Sequence, residues 1–298
     1  MNLCLGTVQF GMDYGIRGRK KPSVDDSVSL LNFAVANGID AIDTSALYGD
    51  SEIVVGRFLG QSPVARNSLF LVSKFGVAEF DGMSAAECRQ KLVDAAKISL
   101  ARLSTDYLDA YICHVPSAVR DNRIIMAMAT LRESGLARSV GFSVYDTEDA
   151  ETAINTGAID FLQLPLSMLD QRMVRSGILD LAAEHGVRVH SRSAYVQGLA
   201  LMKSEEVPDY LNGIKPRIRE LEDLCRLAGI SRPALALAFV RQFGQISHVV
   251  FGVHDMKQLR ETIESFESNV PSTVLAEASR IFVDVDPALV MPNKWRRK

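Results

Sequence analysis

Eight short runs rich in β-branched and aromatic residues (3–7, 39–43, 69–74, 107–114, 139–143, 161–164, 187–191 and 249–252) alternate with longer stretches of helical period. This alternation predicts βα units around a parallel sheet. In 25–37, Val28, Leu31, Ala34 and Val35 fall on one helical face, and Gly38 is placed to stop the helix. Ser84 with Glu87 forms a capping box ahead of an apolar stripe made by Cys88, Leu92, Ala96, Leu100 and Leu103. The interval between the seventh and eighth runs is about twice as long as the others and has room for two helices, near 218–227 and 233–243. No Gly/Ser/Pro-rich linker sets this interval apart. It therefore reads as an insertion, an extra helix between strands 7 and 8 of a single α/β domain, a (β/α)8 TIM barrel over 1–298 with a tail from 284. The polar segment "MKSEEVPDYLNGI" (202–214) holds Pro208 and Gly213 and is expected to be a loop.

Composition narrows the setting. A hydrophobic content of 47%, a charged content of 23% and a net charge of −3 describe an ordinary globular chain, so bulk electrostatics point to neither a nucleic-acid nor a membrane partner. The basic end "NKWRRK" reads as a solvated terminus. Cys4, Cys88, Cys113 and Cys225 have no paired spacing, which favours reduced thiols. The first residues lack a signal-peptide pattern, and no run of about 18 apolar residues occurs. A cytoplasmic location is expected.

Candidate chemistry comes from the strand ends, because a parallel barrel carries its reactive groups where the strands finish. Those ends are Asp43, Lys74, His114, Ser143, Gln163, Arg192 and Gly252, and all but the last have polar side chains. Taken singly, Asp43 is a turn residue, Lys74 a snorkelling lysine and His114 a core histidine. Taken together, three consecutive strands put Asp, Lys and His side by side on one rim, and the loop to Tyr48 reaches the same spot. A phenol with an ordinary pKa of about 10 is a poor acid near neutrality. An ammonium beside it, held by a carboxylate, would lower that pKa and make Tyr48 a general acid. Protonation of a carbonyl oxygen as hydride arrives is the matching reaction, and it needs a hydride-carrying cofactor.

The stretches "LGTVQFG", "GIDAIDTSALYGDSE", "LVSKFG", "YLDAYICHVP", "VGFS", "FLQLP" and "VFGV…QLRETI" run in order over nearly the whole chain. They resemble the aldo-keto reductases, (β/α)8 barrels that reduce aldehydes and ketones with NADPH or NADH. The resemblance implies a catalytic tetrad of Tyr48, Asp43, Lys74 and His114. It further implies that Ser143 and Gln163 hold the nicotinamide carboxamide and that Arg192 stands where many members stack a tyrosine on the nicotinamide ring. The cofactor phosphates would lie near Gly252 and the helix start at about Asp255, with Glu261 near the adenine. Val144 replaces an asparagine common in the family. His254 occupies the position where many members carry a cation for the 2′-phosphate, with Gln258 and Thr262 at other adenine-side positions, so NADH becomes a candidate beside NADPH. "LGTVQFGMDYGI" and "VHSRSAYVQGLAL" are similar to a bacterial branch linked to sugar and polysaccharide metabolism. A polar, sugar-like carbonyl compound is then the expected substrate, with Phe10, Tyr14, Tyr195 and Trp295 near the pocket mouth.

Two other readings compete. A metal-assisted hydrolase would need Asp43, His114 and His190 to meet, though no HxH pair is present. A redox sensor on the same barrel, with little turnover, would have no need of Tyr48 and Lys74 together. The expected partner is a small carbonyl compound, and the expected state is a monomer or small homo-oligomer.

Overall fold

In the computed structural model, which describes residues 1–295, eight parallel strands close into a barrel in chain order. They are β1 (Asn2–Gly6), β2 (Ala41–Asp43), β3 (Phe70–Phe75), β4 (Leu108–Cys113), β5 (Ala137–Ser143), β6 (Phe161–Pro165), β7 (Arg188–Arg192) and β8 (Ile246–Gly252). The pairing of Cys4 with Val250 and of Gly6 with Gly252 joins β1 to β8 and leaves no free edge. Each expected run is a strand, with bounds shifted by one to three residues. Lys74 is one residue short of the end of β3, His114 is the residue after β4, and Gln163 is the middle residue of β6.

Period-two alternation makes two apolar layers. The outward faces of the strands and the inward stripes of the helices form one large core. Inside the barrel a smaller cluster of Val72, Ala110, Ile112 and Phe161 packs with Phe70. His190 and His248 join this floor, with ring centroids 4.5 Å apart, and His248 Nε2 lies 3.1 Å from Asp40 Oδ1. Two residues further along the strands, Asp43, Lys74, Ser143 and Gln163 replace the apolar side chains, so the barrel is filled at one end and polar at the other.

The outer helices follow their sequence signals. Ser23 caps Val24–Ala36 through the Asp26 N–H, and Gly38 leaves that helix at φ 85°. The Ser84–Glu87 capping box is present ahead of Ala85–Leu103. The long interval before β8 holds Lys215–Ala228 and Arg232–Arg241, whose buried Ile218, Leu221 and Leu235 belong to the large core.

Two expectations are corrected. The 202–214 segment is not a plain loop, because Ser204–Glu206 and Asp209–Ile214 form short 3-10 turns that bury Leu211 and Ile214. The tail is not wholly solvated either. After Pro287–Val290, Trp295 folds back to 9% exposure and its indole N–H donates to Leu289 O at 3.2 Å. Arg296, Arg297 and Lys298 lie outside the described residues. All four cysteines are free and buried. Among the described residues no helix is long and apolar enough to cross a membrane.

Candidate active site

Asp43 and Lys74 point into the polar end of the barrel from adjacent strands. Lys74 Nζ donates to Asp43 Oδ1 at 2.5 Å and to the Thr44 carbonyl at 2.9 Å, and neither side chain is more than 4% exposed. The other carboxylate oxygen, Oδ2, accepts from Gln163 Nε2 at 2.7 Å, and Ser143 Oγ donates to Gln163 Oε1 at 3.4 Å. The Asp43 carboxylate is thus held from two other strands at once, β3 and β6, with Ser143 of β5 behind Gln163.

Tyr48 is set over this pair by a close backbone contact. A Cβ on Gly11 would lie 1.6 Å from the Tyr48 carbonyl, and one on Gly49, whose φ is 54°, would lie 2.4 Å from the Gly11 carbonyl. Only residues without side chains let the Tyr48 loop sit flat on the turn after β1. The phenol ring then has Lys74 Nζ 5.0 Å from its centroid and the His114 ring edge-on at 5.6 Å. The four predicted tetrad residues therefore meet.

Their electrostatics differ in one respect from the sequence expectation. The Tyr48 pKa is raised rather than lowered, first by burial and then by the nearby Asp43 carboxylate. Lys74 spends its charge on Asp43 and Thr44, so the resting phenol is firmly protonated. Burial, followed by Lys74 and Arg192, holds His114 down to about 3, which leaves a neutral imidazole. His114 Nδ1 is buried without a protein partner.

A cleft of about 580 Å³ runs from Tyr48 and His114, past Arg192 and Gly252, to His254, Gln258, Glu261 and Thr262. Of the side chains assigned by resemblance to the cofactor, only Ser143 is off its wall, lying 1% exposed behind Gln163. Tyr14 and Tyr195 line the cleft. Phe10 does not and is buried at 2%, while its neighbour Gln9 takes the wall position. Pro292 and Asn293 line it in place of Trp295. The helix Met256–Glu267 opens at the far end, but Asp255 Oδ1 already accepts from Gln258 N–H and Gln258 Oε1 from His254 N–H. The Gln258 N–H of its first turn is thus already engaged and is not free for a phosphate.

Sequence reasoning missed a strap across the cleft. Tyr14 and Arg19 bridge as a small antiparallel turn, and Ile16 N–H donates to Gln197 O at 3.2 Å. Arg17 pairs with Glu206 at 2.7 Å and Arg19 approaches Asp255 at 3.7 Å. The closely spaced glycines and arginines of "YGIRGRK" were the available signal. Among the described residues no three His, Cys, Asp or Glu side chains are grouped to hold an ion, so the metal alternative gains no support. His190 lies in the floor against Phe161 and His248, away from Tyr48.

An elongated cleft suits a dinucleotide in size and polarity. Gln9 Oε1 and His254 Nε2, on its wall, are buried polar atoms without protein partners, as expected of groups that meet a polar ligand.

The profile of the Aldo/keto reductase family matches residues 2–281. Methylglyoxal reductase DkgB of Salmonella typhi is 28% identical over 59% of this chain and 64% of its own length, so the chain spans under two thirds of that relative. The NADH-specific methylglyoxal reductase of Escherichia coli (strain K12) is 23% identical over 78% of this chain and 80% of the relative. Among solved structures, the holo form of aldo-keto reductase AKR11C1 from Bacillus halodurans superposes with a TM-score of 0.76 at 21% identity, covering 98% of this chain and 95% of that one.

Proposed function

The chain belongs to the aldo/keto reductase family, and from that premise we propose that it reduces an aldehyde or ketone to an alcohol with NAD(P)H, Tyr48 giving the proton. The observation that carries this reading is the buried Asp43–Lys74 pair beneath a phenol that faces a neutral histidine across one pocket. A nicotinamide cofactor, when bound, supplies the hydride.

The chain's own residues do the rest. The substrate oxygen sits between Tyr48 Oη and the His114 ring. Because His114 is neutral, it orients that oxygen by hydrogen bonding without adding a charge. As negative charge develops on the oxygen, the Tyr48 proton moves to it, and the phenolate that forms lies in the field of the Arg192 guanidinium, which favours it, with the Lys74 ammonium 5.0 Å from the ring centroid. Gln163, Arg192, Gly252, His254, Gln258 and Glu261 would hold the cofactor along the cleft. Ser143 supports it indirectly, through Gln163.

For cofactor preference we propose that NADH serves as well as NADPH. Burial, then Arg19, lowers the His254 pKa, so that side chain is uncharged near neutrality. Arg19 itself faces Asp255, and Glu261 adds an exposed carboxylate. Among the described residues a 2′-phosphate thus finds no unpaired cation on this part of the wall, and one relative is named NADH-specific. His254→Arg should tighten NADPH by about tenfold, the equivalent of roughly 1.4 kcal/mol, and leave NADH nearly unchanged.

The substrate is proposed to be a small polar carbonyl compound, sugar-like or of the methylglyoxal type named for two relatives. Purified protein mixed with each cofactor and a panel containing methylglyoxal, small aldoses and benzaldehyde should consume nicotinamide absorbance. Cofactor binding without consumption of any carbonyl would favour the sensor reading, and failure of both cofactors to bind would defeat the proposal.

A further inference from the structure

Among the described residues, the inner end of the cleft carries one uncompensated charge. Of the arginines on the wall, Arg17 faces Glu206 and Arg19 faces Asp255. The Lys74 ammonium is neutralised by Asp43. Tyr48 is a protonated phenol and His114 a neutral imidazole. Arg192 alone has no carboxylate within ion-pair distance among the described residues. Its guanidinium is pinned in place: Nη2 donates to the Val144 carbonyl at 2.8 Å, Nη1 to Ser193 Oγ at 3.3 Å, and the plane lies 4.2 Å from the Tyr145 ring centroid. A half-buried guanidinium without a counter-ion is costly to hold at the wall of a cleft. Arg192 is the last residue of β7 and lines the same cleft as Tyr48 and His114, which places it at the reacting end.

Resting on the reductase reading, and on a nicotinamide that would lie against Arg192 at the end of the cleft shared with Tyr48 and His114, we propose that this residue discriminates between the redox forms of the cofactor. The reduced ring is neutral and the oxidised ring carries a full positive charge. A fixed guanidinium beside the ring repels the oxidised form and leaves the reduced form untouched. Where an uncharged aromatic plane in that place would stack on either form, an arginine plane stacks with a bias toward NAD(P)H. The protein then keeps its cofactor reduced until a carbonyl arrives and sheds NAD(P)+ afterwards. The pinning by Val144 matters here, since a mobile arginine would swing away from the positive ring.

The test is a set of titrations of the full chain with NADH, NAD+, NADPH and NADP+, read by calorimetry in the absence of any carbonyl. Unit charges a few ångströms apart at a protein surface interact by enough to change a binding constant tenfold or more. Wild-type protein should bind each reduced nucleotide at least about tenfold tighter than its oxidised partner, which raises the midpoint of the bound couple by about 30 mV per tenfold. Arg192→Gln and Arg192→Tyr should bring the ratio close to one, while Arg192→Lys should keep most of it. A ratio that is unchanged in Arg192→Gln and Arg192→Tyr, with both redox forms weakened alike, would make Arg192 a packing residue and overturn the proposal. If none of the four nucleotides binds the wild-type protein, the reductase reading falls and takes this inference with it; binding with a ratio of one removes this inference alone.

Discussion

Lys74→Met removes the ammonium at the centre of the site while keeping an unbranched side chain of similar length. Lys74 is fully buried and Asp43 nearly so, and the pair is joined at 2.5 Å. The variant leaves a carboxylate in the barrel interior with one remaining donor, Gln163 Nε2, and leaves the Thr44 carbonyl without the Lys74 donor. Breaking a buried pair by removing one partner costs about 3–5 kcal/mol, because the surviving charge is neither solvated nor neutralised. Urea denaturation near pH 7 should show that loss. The deficit should shrink on acidification, since a proton taken up by the stranded carboxylate in the folded state discharges it. Asp43→Asn combined with Lys74→Met should recover most of the stability, as no charge is then buried. A loss below about 1 kcal/mol in Lys74→Met, or a loss that does not change with pH, would mean that the pair is hydrated and that the site is not dry.

Three other outcomes follow from the same geometry. Gly11→Ala should lower kcat by roughly ten- to a hundredfold with a smaller effect on cofactor affinity, because its Cβ would displace the Tyr48 loop; steady-state kinetics beside cofactor titrations check this. His114 titrates at about 3 in the fold and near 6.5 when unfolded, so unfolding takes up a proton between those values and stability falls with acid by about 1.4 kcal/mol per pH unit in that window. His114→Gln should remove about one proton from the slope of unfolding free energy against pH; an unchanged slope would place the acid sensitivity elsewhere, in His190 and His248, whose pKa values burial also lowers. Calorimetric titration of His254→Arg with NADPH and NADH checks the proposed cofactor preference, and an unchanged NADPH affinity would remove His254 from the 2′-phosphate region.

What the sequence made legible is what period and order can encode. Apolar runs at strand spacing and stripes at helical spacing give eight βα units, and their order around a closed barrel puts Asp43, Lys74 and His114 on neighbouring strands. The same reasoning could not weigh burial against charge at Tyr48. Proximity of Lys74 suggested a lowered pKa, yet desolvation and Asp43 prevail, because the ammonium is already engaged. Nor could it see depth. Ser143 and Gln163 both stand near strand ends, but only Gln163 reaches the cleft, with Ser143 behind it. The one-residue shift from Phe10 to Gln9 on the cleft wall depends on a four-residue helical turn after β1 that has no pattern of its own. Arg17 meets Glu206 across a separation of 189 positions, and Trp295 returns to the fold after a stretch read as tail. Pairings of that range have no local signature.

Tyr48 is the group that gives up a proton in the proposed reaction, and Tyr48→Phe is the substitution that isolates this role. The substitution removes one oxygen and keeps the ring that packs on His114. Carbonyl reduction by the purified variant, followed by loss of nicotinamide absorbance alongside a cofactor titration, should fall by about three orders of magnitude or more while cofactor affinity stays within about threefold. Turnover close to that of the wild-type protein would contradict the assignment, and with it the reading of the Asp43–Lys74–His114 setting as a catalytic site.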